Sequence, residues 1–190
     1  RSTAELIAPR DNCAPRGQGG LSHPRRDMAS GEDHDKATCF WSLPFGLGLS
    51  FVIGVPSGLI GGLAFVVGGL WLSPDLDTVS KPLKRWGVLQ GLWWPYRKLI
   101  PHRSLFSHGP LIGTGLRLAY LMSWTGLILM LLQPLGCPAP LSLAKALKEQ
   151  LQPDPQLILS LLLGLEASVW LHLILDGDPL PAEWHRWRHR

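Results

Sequence analysis

Long uncharged runs, separated by short polar clusters, dominate the pattern of this chain. No charged residue occurs in residues 37–74 or 118–144, and a third apolar run, 155–175, is interrupted only by Glu166 and His172. Because a helix needs about 20 apolar residues to cross a bilayer, such runs are typical of membrane-spanning helices. The pattern therefore predicts an all-α fold, a helical bundle with about four hydrophobic helices embedded in a membrane. A soluble helical bundle with a large core is the alternative.

Helix breakers set the predicted helix boundaries. The cluster GVPSG at 54–58 divides the run 37–74 into the two short helices of a hairpin, because Pro and Gly interrupt a helix. One long tilted helix is the alternative for this run. The third helix is predicted at about 117–135 and the fourth at about 155–175.

The distribution of charge predicts an orientation. The formal net charge is +4, and basic residues concentrate in the segment 73–117 and in the final EWHRWRHR. Since Lys and Arg favour cytoplasmic loops, both segments are expected on the cytoplasmic side of the cell's inner membrane. Tryptophans at the ends of the apolar runs fit an interfacial belt, namely Trp41, Trp71, Trp93, Trp94 and Trp184. A basic surface of this kind fits membrane lipid as a partner better than nucleic acid.

Potential metal ligands cluster beside the predicted helix ends. They are Glu32, Asp33, His34 and Asp35 in SGEDHD, Asp75 and Asp77 in SPDLD, His102 and His108 in IPHRSLFSHGP, and Glu166, His172, Asp176 and Asp178 along and after the fourth apolar run. The hairpin topology places each of them at or near the cytoplasmic end of a helix. His172 and Asp176 share one helix face, and Asp75 and Asp77 point to one side if their segment is extended. Mixed His and carboxylate ligation suits zinc, manganese or iron, with one to three ions.

Several motifs together resemble a known family. The motifs are SGEDHD, WSLP, SPDLD, KRWG, WWPYRKLIPHRSLFSHGPLIGT and a late Glu-x5-His-x3-Asp. Over residues 28–178 the chain is similar to an uncharacterised metal-binding family common in cyanobacteria, which in turn resembles membrane-bound metal-dependent hydrolases. The spacing of His102 and His108 is one residue longer than in those hydrolases. The resemblance implies a divalent-metal site built from His34, Asp75, Asp77, His102, His108, His172 and Asp176.

Composition divides the chain into three regions. Residues 1–27 have no hydrophobic period and many turn-forming residues, which predicts a disordered leader before a true start at Met28. Residues 28–180 form the predicted helical metal-binding domain, and residues 181–190 form a basic tail.

The sequence leaves open whether the protein is an enzyme. A metal-dependent hydrolase would act on a small-molecule or lipid phosphoester, with Asp77, Asp35 or Glu166 as general base and Arg103 stabilising the developing negative charge. A carboxylate inside an apolar helix, such as Glu166, is costly and indicates function. A non-catalytic metal-binding or metal-handling membrane protein and a lipid-facing scaffold are the alternatives. More candidate ligands are present than a closed structural zinc site uses, which favours the hydrolase.

Overall fold

The fold is all-helical. A computed structural model of the chain describes residues 30–177, and within this range it contains eight α-helices and no β-strand. The helices are α1 (Gly31–Ile53), α2 (Val55–Leu70), α3 (Lys81–Lys84), α4 (Trp94–Leu99), α5 (Leu105–His108), α6 (Ile112–Leu132), α7 (Pro140–Leu151) and α8 (Pro155–Leu175), and 3₁₀ turns cover Pro74–Asp77, Gly87–Trp93 and Gln133–Leu135. The predicted leader 1–27, the predicted start at Met28, Asp178, Trp184 and the predicted tail 181–190 lie outside the described residues.

The run 37–74 forms a hairpin, as predicted. Ser30 caps α1 through a reciprocal capping box with Asp33, and α1 ends where Gly54 adopts a φ of 112°. Pro56 follows in the first turn of α2, where its missing N–H is of no consequence. A positive φ suits glycine, so Gly54 lets the chain reverse at this point. The alternative of one long helix is therefore wrong.

Helix α2 lies at the centre of the bundle and packs against both α1 and α8. Small residues make this close packing feasible: a side chain at Gly58 would collide with α1, and one at Gly164 would collide with the backbone of Gly61 and with Ala64. Helices in a bilayer associate mainly through such close contacts, since lipid is as apolar as their side chains.

Four helical segments are long and apolar enough to cross a membrane, namely Gly31–Ile53, Val55–Asp77, Ile112–Leu135 and Pro155–Leu175. The number of hydrophobic helices agrees with the prediction. Helix α6 starts about one turn earlier than expected and is largely exposed over its remaining length. Helix α7 was not predicted, although Ala144, Leu147 and Leu151 recur at helical spacing after Pro140.

The segment between α2 and α6 has a small core of its own. Leu76, Leu83, Trp93 and Tyr96 are buried against one another, and Tyr120 of α6 packs beside them. Trp93 is fully buried and makes edge-to-face contacts with neighbouring rings. Its assignment to an interfacial belt is therefore wrong, because this ring fills the interior of a compact connector.

The close contact between α2 and α8 generates a prediction. Replacing Gly164 with Ala places a methyl group against the backbone of Gly61, so we expect a loss of about 1–3 kcal/mol in the free energy of unfolding. Gly126→Ala is the matched control, because nothing lies within 4 Å of the added carbon. Alanine has the higher helix propensity, so the free energy of unfolding should stay the same or increase. Denaturation of the purified protein in detergent, followed by circular dichroism, measures both. Equal stability of the two variants would contradict this packing.

Candidate metal centre

Four separate parts of the chain meet at one end of the bundle. Helices α1 and α6 begin at this end, while α2 and α8 finish there. His34 lies in the first turns of α1, the 3₁₀ turn Pro74–Asp77 follows α2, and His172 lies in the last turn of α8. His108, at the end of α5, precedes α6 by only a few residues. Antiparallel packing of the long helices thus brings remote polar residues together.

These residues form an alternating row of imidazoles and carboxylates, here called the imidazole–carboxylate row. The atom pairs along it are His34 Nε2–Asp176 Oδ1 at 3.0 Å, Asp176 Oδ2–His172 Nε2 at 3.4 Å, His172 Nε2–Asp75 Oδ1 at 3.6 Å, Asp75 Oδ1–His108 Nε2 at 3.8 Å, His108 Nδ1–Asp77 Oδ2 at 3.6 Å and Asp77 Oδ1–His102 Nδ1 at 2.9 Å. Four imidazoles and three carboxylates therefore form one continuous row, much of it buried.

The distances separate the middle of the row from its ends. The two terminal contacts, made by His34 and His102, have the length of hydrogen bonds. The contacts around His172 and Asp75 are longer than a hydrogen bond. They match the roughly 3 to 4 Å expected between two ligands that each lie about 2.1 Å from a common metal ion. The middle of the row therefore has the spacing of a coordination sphere.

Buried ring nitrogens without partners support the same assignment. Among the described residues, His108 Nε2 and His172 Nε2 are buried and accept or donate no hydrogen bond. Oδ2 of Asp77 is also buried without a donor. Leaving such a group unpaired costs about 1–3 kcal/mol. We therefore expect these atoms to bind a ligand from outside the described residues. A divalent cation fits, because neutral imidazole and ionised carboxylate are its usual ligands.

The ionisation of Asp176 suits this role. Burial opposes the charge of this carboxylate, but its interactions with the His172 and His34 rings outweigh burial. The pKa of Asp176 consequently lies below its ordinary value. An ionised carboxylate offers only acceptor oxygens, which is what a cation requires.

Local hydrogen bonds fix the turn that carries Asp75 and Asp77. The Ser73 hydroxyl accepts a hydrogen bond from the Asp75 N–H, and Thr78 and Ser80 donate to the Asp75 carbonyl. The segment is a 3₁₀ turn, so the extended conformation that would place Asp75 and Asp77 on one side is not adopted. Pro74 lies in the first turn of this helix, where the N–H that proline lacks would have no partner within the helix. In this turn Asp75 lies closest to Nε2 of His108, and Asp77 lies close to its Nδ1.

Ion pairs hold the start of α1 against α3. Arg85 binds Asp35 and also donates to the carbonyl of Leu70 at the end of α2, while Lys81 binds Glu32 at 3.1 Å. Because Glu32 and Asp35 flank His34, these contacts position the His34 ring. The basic segment 73–117, expected to face membrane lipid, thus also supplies partners for α1. Two bases four residues apart pair with two acids three residues apart, and this complementarity is the signal that sequence reasoning missed.

Comparison with known proteins agrees with this geometry. A family model described as "uncharacterized metal-binding protein (DUF2227)" matches residues 29–188. The chain belongs to this metal-binding family. An uncharacterized protein of Aquifex aeolicus (strain VF5) is 43% identical over 61 residues, which is 32% of this chain and 43% of that protein. The chain thus spans less than half the length of this relative. No solved structure matches the chain.

The ligands predicted for this metal-binding family member fall into three overlapping groups. In each group the potential ligand atoms lie within 4.8 Å of one another, and the groups are His34–His172–Asp176, Asp75–His108–His172 and Asp77–His102–His108. The structure thus brings all seven predicted ligands together. That they bind an ion stays a prediction.

Other residues considered at this stage lie outside these groups. Asp33 caps α1, and Asp35 and Glu32 make the ion pairs described above. Glu166 accepts hydrogen bonds from the Leu111 N–H and the Thr114 hydroxyl. Arg103 lies in the turn after His102 with a φ of 56°. Catalytic roles for Glu166 and Arg103 stay predictions.

The difference between the middle and the ends of the row can be tested. We expect His172→Ala to abolish stoichiometric binding of a divalent metal ion, because Nε2 of His172 faces both Asp75 and Asp176. His102→Ala should retain the ion with an affinity lowered by about 10–100-fold, the effect typical of a residue that only orients a ligand. Elemental analysis and metal titration of the purified protein measure both.

The exposed Asp154, which precedes α8 at the opposite end of the bundle, provides the matched control. Asp154→Asn should bind metal like the original protein, whereas Asp75→Asn should not. Metal content that is unchanged in His172→Ala would rule out the middle of the row as the site.

Proposed function

We propose that this protein is an integral protein of the inner, cytoplasmic membrane and that its imidazole–carboxylate row holds a divalent ion that serves in phosphoester hydrolysis. The observation that carries the proposal is the pair of buried ring nitrogens, His108 Nε2 and His172 Nε2, which face Asp75 without hydrogen-bond partners among the described residues. The neighbouring His102 side chain is 48% exposed, so the row opens to solvent at that end. A buried ligand set with one open side is typical of catalytic metal sites.

The exposed apolar surface of the bundle supports the membrane assignment. Phe51 is 89% exposed and Leu131 is 69% exposed, and similar side chains cover much of the surface of the long helices. A soluble protein rarely exposes apolar surface on this scale. The basic segment 73–117 lies at the same end of the bundle as the row, which favours the cytoplasm for that end.

The ligand geometry limits the number of ions. One nitrogen, His172 Nε2, faces both Asp75 and Asp176, so the two groups that contain His172 share a single ion. A second ion beside Asp77 and His102 would require the other nitrogen of His108, which already contacts the Ser107 hydroxyl at 2.9 Å. We therefore propose one tightly held ion, with zinc, manganese or iron as the metals that suit this ligand set.

The residues around the row can support hydrolysis. A bound divalent ion supplies Lewis acidity, which polarises a phosphoryl oxygen and makes water more acidic. Oδ1 of Asp77 holds His102, and its buried Oδ2 has no hydrogen-bond donor among the described residues. This oxygen is therefore our candidate acceptor of a proton from the attacking water. Arg103 directly follows His102 and is the candidate cation for the charge that develops on the substrate.

A metal-handling function is the second candidate. Neighbouring ligand groups share His172 and His108, so an ion could pass along the row by exchanging one ligand at a time. Such a protein would bind and release its ion without turning over any ester.

An activity assay separates the two functions. We expect the metal-loaded protein to hydrolyse at least one substrate among phosphomonoesters, phosphodiesters and phospholipids presented in mixed micelles. Asp77→Asn should lower the rate by about 10²–10⁴-fold, the usual contribution of a general base, while elemental analysis finds the ion still bound. Glu149→Gln, on exposed α7, is the charge-matched control and should retain full activity. Metal-loaded protein that turns over none of these substrates would favour metal handling.

The proposed orientation can be tested by labelling single cysteines. In a background without Cys13, Cys39 and Cys137, Val88→Cys places a thiol on the 97% exposed position of the basic segment, and Ala144→Cys places one on α7 at the opposite end. A membrane-impermeant maleimide should label Ala144→Cys in spheroplasts and Val88→Cys only in inverted vesicles. Labelling of both from the same side would exclude a spanning bundle.

A further inference from the structure

A second polar cluster lies within the apolar helices, beside the imidazole–carboxylate row but outside the three ligand groups. It consists of Glu166 on α8 and of Leu111, Thr114 and Arg117 at the start of α6. Arg117 is only 1% exposed. Charged groups are expensive to place inside apolar helices, so such a cluster indicates a role in function.

Glu166 fixes the start of α6. One carboxylate oxygen accepts a hydrogen bond of 2.9 Å from the Leu111 N–H, and the other accepts one of 2.8 Å from the Thr114 hydroxyl. Leu111 has a φ of 61° and provides no side-chain cap of its own. Glu166 therefore caps α6 from a neighbouring helix, and an acidic group at a helix N-terminus also interacts favourably with the helix dipole.

Arg117 extends the cluster to the turn that carries His108. Its Nη1 donates a hydrogen bond of 2.7 Å to the Ser107 carbonyl, and its Nη2 lies 3.4 Å from the Thr114 hydroxyl, which it shares with Glu166. One chain of contacts thereby links Glu166 of α8 through Thr114 and Arg117 of α6 to the backbone of α5.

Ser107 connects this chain to the metal centre. Its hydroxyl lies 2.9 Å from His108 Nδ1 and 3.3 Å from the carbonyls of Pro101 and Ser104. In the tautomer of His108 that is protonated at Nδ1, this nitrogen donates to the Ser107 oxygen, and the hydroxyl proton of Ser107 goes to a carbonyl, which can only accept. Metal binding through Nε2 requires this tautomer. His108 Nε2 then carries the lone pair and faces Asp75.

We propose that Glu166, Thr114 and Arg117 form a clamp that positions His108 for metal binding by holding Ser107 in place. This inference rests on the proposed metal binding. Both oxygens of Glu166 are engaged by donors, which makes Glu166 a positioning residue in this scheme. The clamp acts on His108 and not on His34, because His34 is held separately by the contacts between α1 and α3.

Cobalt titration of the full chain in detergent, followed by the visible absorption of bound Co²⁺, tests the clamp. We expect Glu166→Gln to weaken Co²⁺ binding by about 10–100-fold and to change the absorption spectrum, as loss of an orienting group does. In a His108→Ala background, Glu166→Gln should weaken binding by less than about 3-fold further, because its effect passes through His108. In a His34→Ala background it should keep its full effect.

A second pair of variants keeps the test independent of the folding of Glu166→Gln. Thr114→Val removes the shared hydroxyl and should weaken Co²⁺ binding, whereas Thr114→Ser should restore it. Thr125→Val is the matched control and should bind Co²⁺ normally. Among residues 30–177, the Thr125 hydroxyl donates only to the carbonyl of Leu121 in its own helix.

The outcomes separate the two proposals. If the original protein binds no Co²⁺ or other divalent ion, the metal site itself is wrong and the clamp falls with it. If the original protein binds Co²⁺ and Glu166→Gln and Thr114→Val bind it equally well, only the clamp is overturned. An effect of Glu166→Gln that is equally large in the His108→Ala and His34→Ala backgrounds would also overturn it, since that is the result of a general loss of stability.

Discussion

The concentration of negative charge at one end of the bundle is the constraint on which the rest of the structure depends. Asp75, Asp77 and Asp176 lie close together in a partly buried volume, and imidazoles lie between them. Ionised carboxylates in such a volume require compensating positive charge. A divalent cation bound where the ring nitrogens lack hydrogen-bond partners among the described residues would provide that charge. The family to which the chain belongs binds metal, which agrees with this requirement.

The architecture separates two kinds of physical interaction. Close contacts between small residues hold α1, α2 and α8 together, so the bundle can form without many polar bonds. Polar contacts concentrate at one end, where serines cap short turns and ion pairs tie α1 to α3. The compact aromatic core around Trp93 includes Leu76 and so packs against the turn that carries Asp75 and Asp77. Rigid apolar helices thus set the distances between ligands, and the short connecting turns set their direction.

Sequence reasoning identified much of this because the main signals are local. Uncharged runs and the breaker at Gly54 define the long helices, and polar residues at several helix ends can converge only if the helices run antiparallel. The ligand spacing of His172 and Asp176 follows directly from helical periodicity. The conformation of Asp75–Asp77 was left open, because an Asp-Leu-Asp sequence fits both an extended segment and a 3₁₀ turn. Trp93 was misplaced because tryptophan is suited both to an interface and to a core. The partners of Arg85 and Glu166 are remote in sequence, and no local pattern could specify them.

The contact between His34 and Asp176 joins the first and last helices of the described chain. An ion bound beside it would act as a reversible staple whose two arms come from nearly opposite ends of the described residues. Closing so long a loop costs little more entropy than closing a shorter one, because the cost grows only with the logarithm of loop length. Loss of the ion would accordingly remove a link between the two ends of the described chain and lower the free energy of unfolding.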